Sequence, residues 1–170
     1  RMQGDYETAL AYLKQSLTIM QQIGNKDGEG AILNNISNIY HLDGDYEKAL
    51  GYLKQSLTIM QQIGDKAGEG TTLNNIGENY RMQDDYKTAL SYLKQSLTIC
   101  QQIGDQEGEG RTLNNIALTY QMQGDYETAL SYLKKSLNIR QQIGDKAGLC
   151  STLFNMGHIH AQNKQMQEAV

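Results

Sequence analysis

Proline and tryptophan are absent from this chain, which holds one phenylalanine, two cysteines and three histidines among 170 residues. Without proline, helices must stop on glycine and aspartate signals alone. Cys100 and Cys150 lie in no Cys-x-x-Cys spacing, so neither a structural disulfide nor a thiolate metal site is expected. A reducing, cytoplasmic setting is the reading that fits this cysteine usage. Of the histidines His41, His158 and His160, the last two sit two residues apart and would point away from each other on a helix. No metal and no cofactor are therefore expected. No apolar run is long enough to span a bilayer, and no signal-peptide pattern opens the sequence. A formal net charge of −4 without clustered Lys and Arg argues against nucleic acid or an anionic membrane as the main partner. No glycine-rich phosphate loop follows a strand and no nucleophile elbow occurs, so the chain is not expected to be an enzyme.

What the chain has is repetition. Asp5-Tyr6 recurs as Asp45-Tyr46, Asp85-Tyr86 and Asp125-Tyr126 without insertion or deletion, a fixed offset of 40 residues. The copies beginning at Asp45 and Asp85 agree at more than two thirds of their positions. A fixed period of this size signals stacked units, each unable to bury its apolar face alone. Cys100 falls on the repeat position of Met20 and Met60, which makes it a small apolar filler.

Within the block from Asp45 to Gly64, Ala49, Leu50, Leu53, Leu57, Met60 and Ile63 follow helical spacing. Asp45 is a good N-cap and Gly64 a good left-handed stop, which predicts a helix B over about 46–63. Asp65 caps a second helix, A, running through Leu73, Ile76 and Tyr80 to Met82. The short Asp43-Gly44-Asp45 link between A and B forces an antiparallel hairpin. Asp84 replaces the permissive Gly44 and Gly124 in one copy and should be slightly strained. The expected array is a helix B at 5–23, repeats at 25–64, 65–104 and 105–144, a terminal helix A at 145–163 and a stub of one more B at 164–170. That makes about nine helices: three complete repeats with partial ones at both ends. Both ends cut through a repeat, so the sequence looks like an excerpt of a longer protein. Leu10, Leu13 and Leu17 at one end, and Leu153, Met156 and Ile159 at the other, should stay partly uncovered. Head-to-tail self-association through these faces is one expected consequence.

The order Leu73, Ile76-Gly77, Tyr80, Asp85-Tyr86, Ala89, Leu93 resembles the tetratricopeptide repeat, and the match recurs in register along nearly the whole chain. Leu33, Leu73, Leu113 and Leu153 stand where that family often has Trp. Ser16, Ser56, Ser96 and Ser136 stand where it often has Ala, and its usual closing Pro is missing. The period is similar to the longer variety found in Pins-type scaffolds, kinesin light chain and bacterial signalling proteins. The resemblance implies an all-α, right-handed α-α solenoid whose A helices line a concave groove that binds peptides.

Helix B hardly varies: Tyr-Leu-Lys-Gln-Ser-Leu-Thr-Ile stands at 12–19, 52–59 and 92–99. Helix A varies at selected positions. These are the series Ala31, Thr71, Arg111, Ser151; Asn38, Glu78, Leu118, His158; and His41, Arg81, Gln121, Ala161. At about 100° per residue they share one side of helix A. Either the stripe is specialised for a ligand, with Arg81 and Arg111 suited to an acidic group, or it has drifted freely. Asn35, Asn75, Asn115 and Asn155 lie on that side too, although Asn is a mediocre helix former. A primary amide pairs with both groups of a peptide unit, so the row can clamp an extended backbone, and the resemblance implies such a ladder. The alternative is that each Asn bonds a neighbouring helix and holds the superhelix together. Asn34, Asn74 and Asn114 lie one step round and are further candidates for groove specificity. Phe154 ends that series as either an apolar anchor or a cover for the chain end. The expected function is a protein-interaction scaffold that holds an extended peptide or partner segment. The alternatives are a regulatory region of a larger signalling protein and an end-to-end assembling array.

Overall fold

The computed structural model describes the backbone of residues 2–168 and the side chains of residues 5–164. Eight helices follow one another: α1 (Met2–Gln22), α2 (Lys26–Leu42), α3 (Tyr46–Ile63), α4 (Lys66–Met82), α5 (Tyr86–Ile103), α6 (Gln106–Met122), α7 (Tyr126–Ile143) and α8 (Lys146–Glu168). No strand occurs among the described residues. The hairpins are α2–α3, α4–α5 and α6–α7, with a lone B helix, α1, before them and a lone A helix, α8, after them.

Local chemistry sets the boundaries. Asn25, Asp65 and Asp105 accept the backbone N–H of Gly28, Gly68 and Gly108 and so open α2, α4 and α6. Asp45, Asp85 and Asp125 do the same for Lys48, Thr88 and Thr128 at the start of α3, α5 and α7. Their carboxyls are held below the usual carboxylate range, first by the side chains of Lys48, Thr88 and Thr128 and then by the backbone N–H of the same residues. Each B helix of the three hairpins ends on a left-handed glycine: Gly64, Gly104 and Gly144, at φ 73°, 72° and 72°. Asp84 takes φ 60° at the A–B turn, where Gly44 and Gly124 take 81° and 82°. The Tyr86 hydroxyl donates to its Oδ1 at 2.6 Å.

These signals fail where the next turn should come. Lys164 and Gln165 stand where the repeat has Gly and Asp, so nothing halts α8 and nothing caps a successor. The helix continues to Glu168. This corrects the expected ninth helix for residues 164–168; Ala169 and Val170 lie outside the described residues.

The core is the A–B seam. Leu33, Leu73 and Leu113, Ile36, Ile76 and Ile116, and Leu53, Leu93 and Leu133 are all buried, each contributing about 1.5–3 kcal/mol. Tyr40, Tyr80 and Tyr120 stack on Tyr52, Tyr92 and Tyr132 with centroids 5.5, 5.6 and 5.7 Å apart. At Gly77 an added Cβ would lie 2.6 Å from Leu93 Cγ, which is how closely α4 and α5 approach. Successive A helices (α2, α4, α6, α8) also touch one another, whereas α3, α5 and α7 do not. The stack is therefore tighter on the A side, and the A helices form its inner wall.

The end helices show what stacking supplies. Leu153 is 55% exposed where Leu33 is 2%, because no B helix covers it. Leu10, Leu13 and Leu17 are half-buried. Ile159 is a correction: expected partly open, it is fully buried against Ala117, Ala129 and Leu133. It faces back toward the preceding hairpin, which is present.

Candidate functional site

The inner wall brings together most of the residues singled out by the repeat comparison, though in different roles. Asn75, Asn115 and Asn155 each donate their side-chain Nδ2–H to an asparagine of the repeat before, Asn34, Asn74 and Asn114, at 3.3, 3.1 and 3.0 Å. The two Asn series thus form interlocking pairs that staple each A helix to the next. Asn34 also donates to Ser56 Oγ at 2.7 Å and Thr72 Oγ1 at 2.8 Å. Ser56 in turn donates to the Gly30 carbonyl at 2.9 Å, and Thr72 to the Gly68 carbonyl at 2.8 Å. Ser96 and Ser136 repeat the first contact on Gly70 and Gly110, both at 2.7 Å. Serine stands in place of the family's common alanine because its hydroxyl reaches a carbonyl on the partner helix.

This network decides what is open to a ligand. Asn74 is 1% exposed and Asn114 9%, so neither lines a groove; both correct the expectation that they set specificity. Their side chains are consumed by packing between repeats. In the second series Asn35 is exposed, Asn75 and Asn155 are half-buried, and Asn115 is buried. Each amide that donates one N–H to the brace keeps a second N–H and its oxygen. Phe154 is 73% exposed at the end of α8, with no later repeat beside it.

The varied stripe lies along the same wall, and its members bridge repeats. His41 Nδ1 and Asn79 Oδ1 are 3.2 Å apart. Arg81 pairs with Glu78 at 3.6 Å and contacts Met122 Sδ at 3.5 Å. Arg111 donates to Thr71 Oγ1 at 3.4 Å, and Gln121 donates to Gln162 Oε1 at 2.8 Å. Asn38 and His158 are exposed and Leu118 half-buried.

Arg140 is a member the sequence comparison missed. It occupies the position of Met20, Met60 and Cys100, so an arginine replaces an apolar filler in the last copy. That departure from register was the available signal. Its side chain passes over Gly110, with Cγ and Nε both 3.3 Å from where a Cβ would lie, and reaches Gly148. It is 7% exposed, and Asp145 is its partner at a long 3.9 Å. Burial lowers its pKa; Asp145 and Glu107 oppose that, while Arg111 adds to it. Among the described residues the buried side-chain atoms without a hydrogen-bond partner are Nε of Arg81, Arg111 and Arg140. Cys100 and Cys150 are free thiols, the first buried and the second exposed.

Helical hairpins stacked in register around an inner wall of A helices define an α-α solenoid of the interaction-array class. The family model for the tetratricopeptide repeat matches residues 1–62, 28–102, 68–142 and 108–170, and the chain belongs to that family. No curated protein matches the sequence at a significant level. Among solved structures the chain is similar to BtubC (BKLC) from P. vanneervenii, at 21% identity over 99% of this chain and 70% of that one, with a TM-score of 0.82. It is similar to aspartyl phosphate phosphatase F from Bacillus subtilis at 18% identity, covering 96% of this chain and 43% of that one, TM-score 0.86. A putative kinesin light chain with nearly identical repeats from Podospora anserina gives 17% identity, 99% and 83% coverage and a TM-score of 0.72. At these identities the likeness establishes the fold, and the family assignment points to a protein-interaction scaffold. Among the described residues no helix is long and apolar enough to cross a membrane.

Proposed function

We propose that the inner wall of α2, α4, α6 and α8 binds an extended segment of a partner protein, in a cytoplasmic setting. The observation that carries this reading is the contrast between helices: solvated B-helix faces are nearly identical from copy to copy, while divergence concentrates on the A-helix stripe. A surface under no demand diverges equally on both sides. The free amide groups of Asn35, Asn75 and Asn155 supply sequence-blind contacts to a peptide backbone. Arg81, Arg111, His41, Gln121, Glu78 and Leu118 supply discrimination. Hydrogen bonds of about 0.5–1.5 kcal/mol each do not by themselves reach the roughly 8 kcal/mol of micromolar binding, so the varied stripe must contribute. In keeping with this, one similar structure is a Rap protein complexed with competence and sporulation factor, of whose chain this one covers 47%. Peptides selected from a displayed library against the 170-residue chain test the reading through amide hydrogen exchange. Slowed exchange along α2, α4 and α6 supports it, and protection confined to B helices or to the chain ends refutes it.

A second reading, end-to-end association, rests on the apolar faces left open at the two ends. Tyr12 is 69% exposed on α1, and Leu153 and Phe154 are open on α8. The α1 segment 12–19 is identical to the B-helix segments 52–59 and 92–99, the latter of which α4 already covers within this chain. A second copy's α1 therefore has the shape and sequence that α8 lacks. Light scattering should show molar mass rising with concentration, and Phe154→Asn should weaken that rise. A constant monomer mass rejects this reading.

A further inference from the structure

Met60, the repeat equivalent of Arg140, faces the inner wall. It lines a cavity of about 280 Å³ between α2 and α4 together with Ala31, Asn34, Asn35 and Thr71. Two repeats on, the corresponding step between α6 and α8 has Arg140 at the Met60 position and Arg111 at the Ala31 position. The other steps pair apolar or small residues here: Met60 with Ala31 and Thr71, Cys100 with Thr71 and, on the far side, Arg111. Two guanidiniums meet at this one step.

Both are poorly served. Arg140 is buried, its Nε has no hydrogen-bond partner, and its carboxylate neighbour is 3.9 Å away. The Arg111 Nε has none either, and its one hydrogen bond, to Thr71 Oγ1, is long at 3.4 Å. A buried guanidinium is costly unless it is paired and hydrogen-bonded, and methionine or cysteine fills the same space in the other copies without that cost. Planar guanidiniums match carboxylate oxygens through paired N–H donors. Asp145 and Glu107 already contribute two negative charges to the surroundings of Arg140, so a singly charged carboxylate suits the site better than a doubly charged phosphate.

We propose that Arg111 and Arg140 form a carboxylate subsite on the inner wall between α6 and α8, which takes an Asp or Glu side chain of the bound segment. The proposal rests on the groove reading above and deepens it: a single acidic residue, held at one step of four, fixes the register of a segment that the asparagines grip without reading.

The test is a titration of the 170-residue chain followed through the arginine Nε–H resonances, using the capped peptide Ser-Gly-Glu-Gly-Ser, its Gln counterpart and inorganic phosphate. The Glu peptide should move the Arg111 and Arg140 signals with a Kd of about 1–10 mM, and the Gln peptide should bind about tenfold more weakly or worse. Arg140→Met installs the residue found at positions 20 and 60, so helicity should persist, and the Arg111 response to the Glu peptide should fall about tenfold. Arg111→Thr, the residue at position 71, should reduce the Arg140 response likewise. Unmoved arginine signals, equal binding of the Gln peptide, or an undiminished response in Arg140→Met would overturn the subsite. Phosphate binding more tightly than the Glu peptide would overturn the choice of carboxylate. If selected peptides protect the A helices while the Glu peptide does not bind, the subsite alone falls. The converse result sinks the groove reading and leaves the subsite standing.

Discussion

The asparagine staples make a prediction that separates bracing from binding within one molecule. Asn115 donates to Asn74 Oδ1 at 3.1 Å, and Asn74 is almost wholly enclosed. Asn115→Ala leaves that oxygen without its donor, at a cost of about 1–3 kcal/mol, reduced by about 0.5 kcal/mol because Ala is the better helix former. Asn35 occupies the same repeat position on α2, is exposed, and makes no side-chain hydrogen bond among the described residues. Asn35→Ala should be neutral or raise stability by about 0.5 kcal/mol. For a chain of this size 1 kcal/mol moves Tm by about 2–4 °C, so the two variants should differ by several degrees when melting is followed by circular dichroism. A ligand selected on the inner wall adds a second axis: Asn35→Ala should weaken it while leaving Tm untouched. Equal Tm losses for both variants would refute the bracing geometry, and unchanged affinity in Asn35→Ala would remove that amide from the clamp.

Three further outcomes follow from local chemistry. Asp84→Gly should raise stability by about 1 kcal/mol, since it relieves a left-handed aspartate at the loss of one exposed bond from Tyr86; a lower Tm would refute this. Asp45, Asp85 and Asp125 have carboxyl pKa values depressed below 3.8, so their contribution is present above that pH and is lost as acid carries the solution through the lower folded values. Replacing all three with Asn, the residue that already caps α2, should preserve the helices at neutral pH and flatten the acid decline of Tm. In alkylation, exposed Cys150 should react at least about tenfold faster than Cys100, whose thiol is pushed up by burial and then by Asp105. Equal rates, read by mass spectrometry, would count against the packing around Cys100.

The hairpin helices were legible because their signals are local. Asp45 and Gly64 bracket α3 at the expected residues, and the strained Asp84 could be named from the glycines it replaces. The run-on of α8 was equally written in Lys164 and Gln165, but the strength of the repeat pattern suggested a turn that its own residues do not support. The site was less legible. The asparagines at 34 and 35 of each repeat look alike as neighbours on one helix; which of each pair is enclosed depends on a residue 41 positions away in the next repeat. The serines looked like departures from the family pattern, and their purpose emerges only when Gly30, 26 residues away, comes within 2.9 Å of Ser56.

Period, helix type, caps and the stacking of like units belong to the sequence, because each follows from residues within one or two turns of each other. Which amides are sealed, which end faces stay bare and where the Arg140 guanidinium comes to rest belong to the tertiary structure. Those outcomes hang on distances between helices from different repeats, and a side chain's access to water is settled by its neighbours in space.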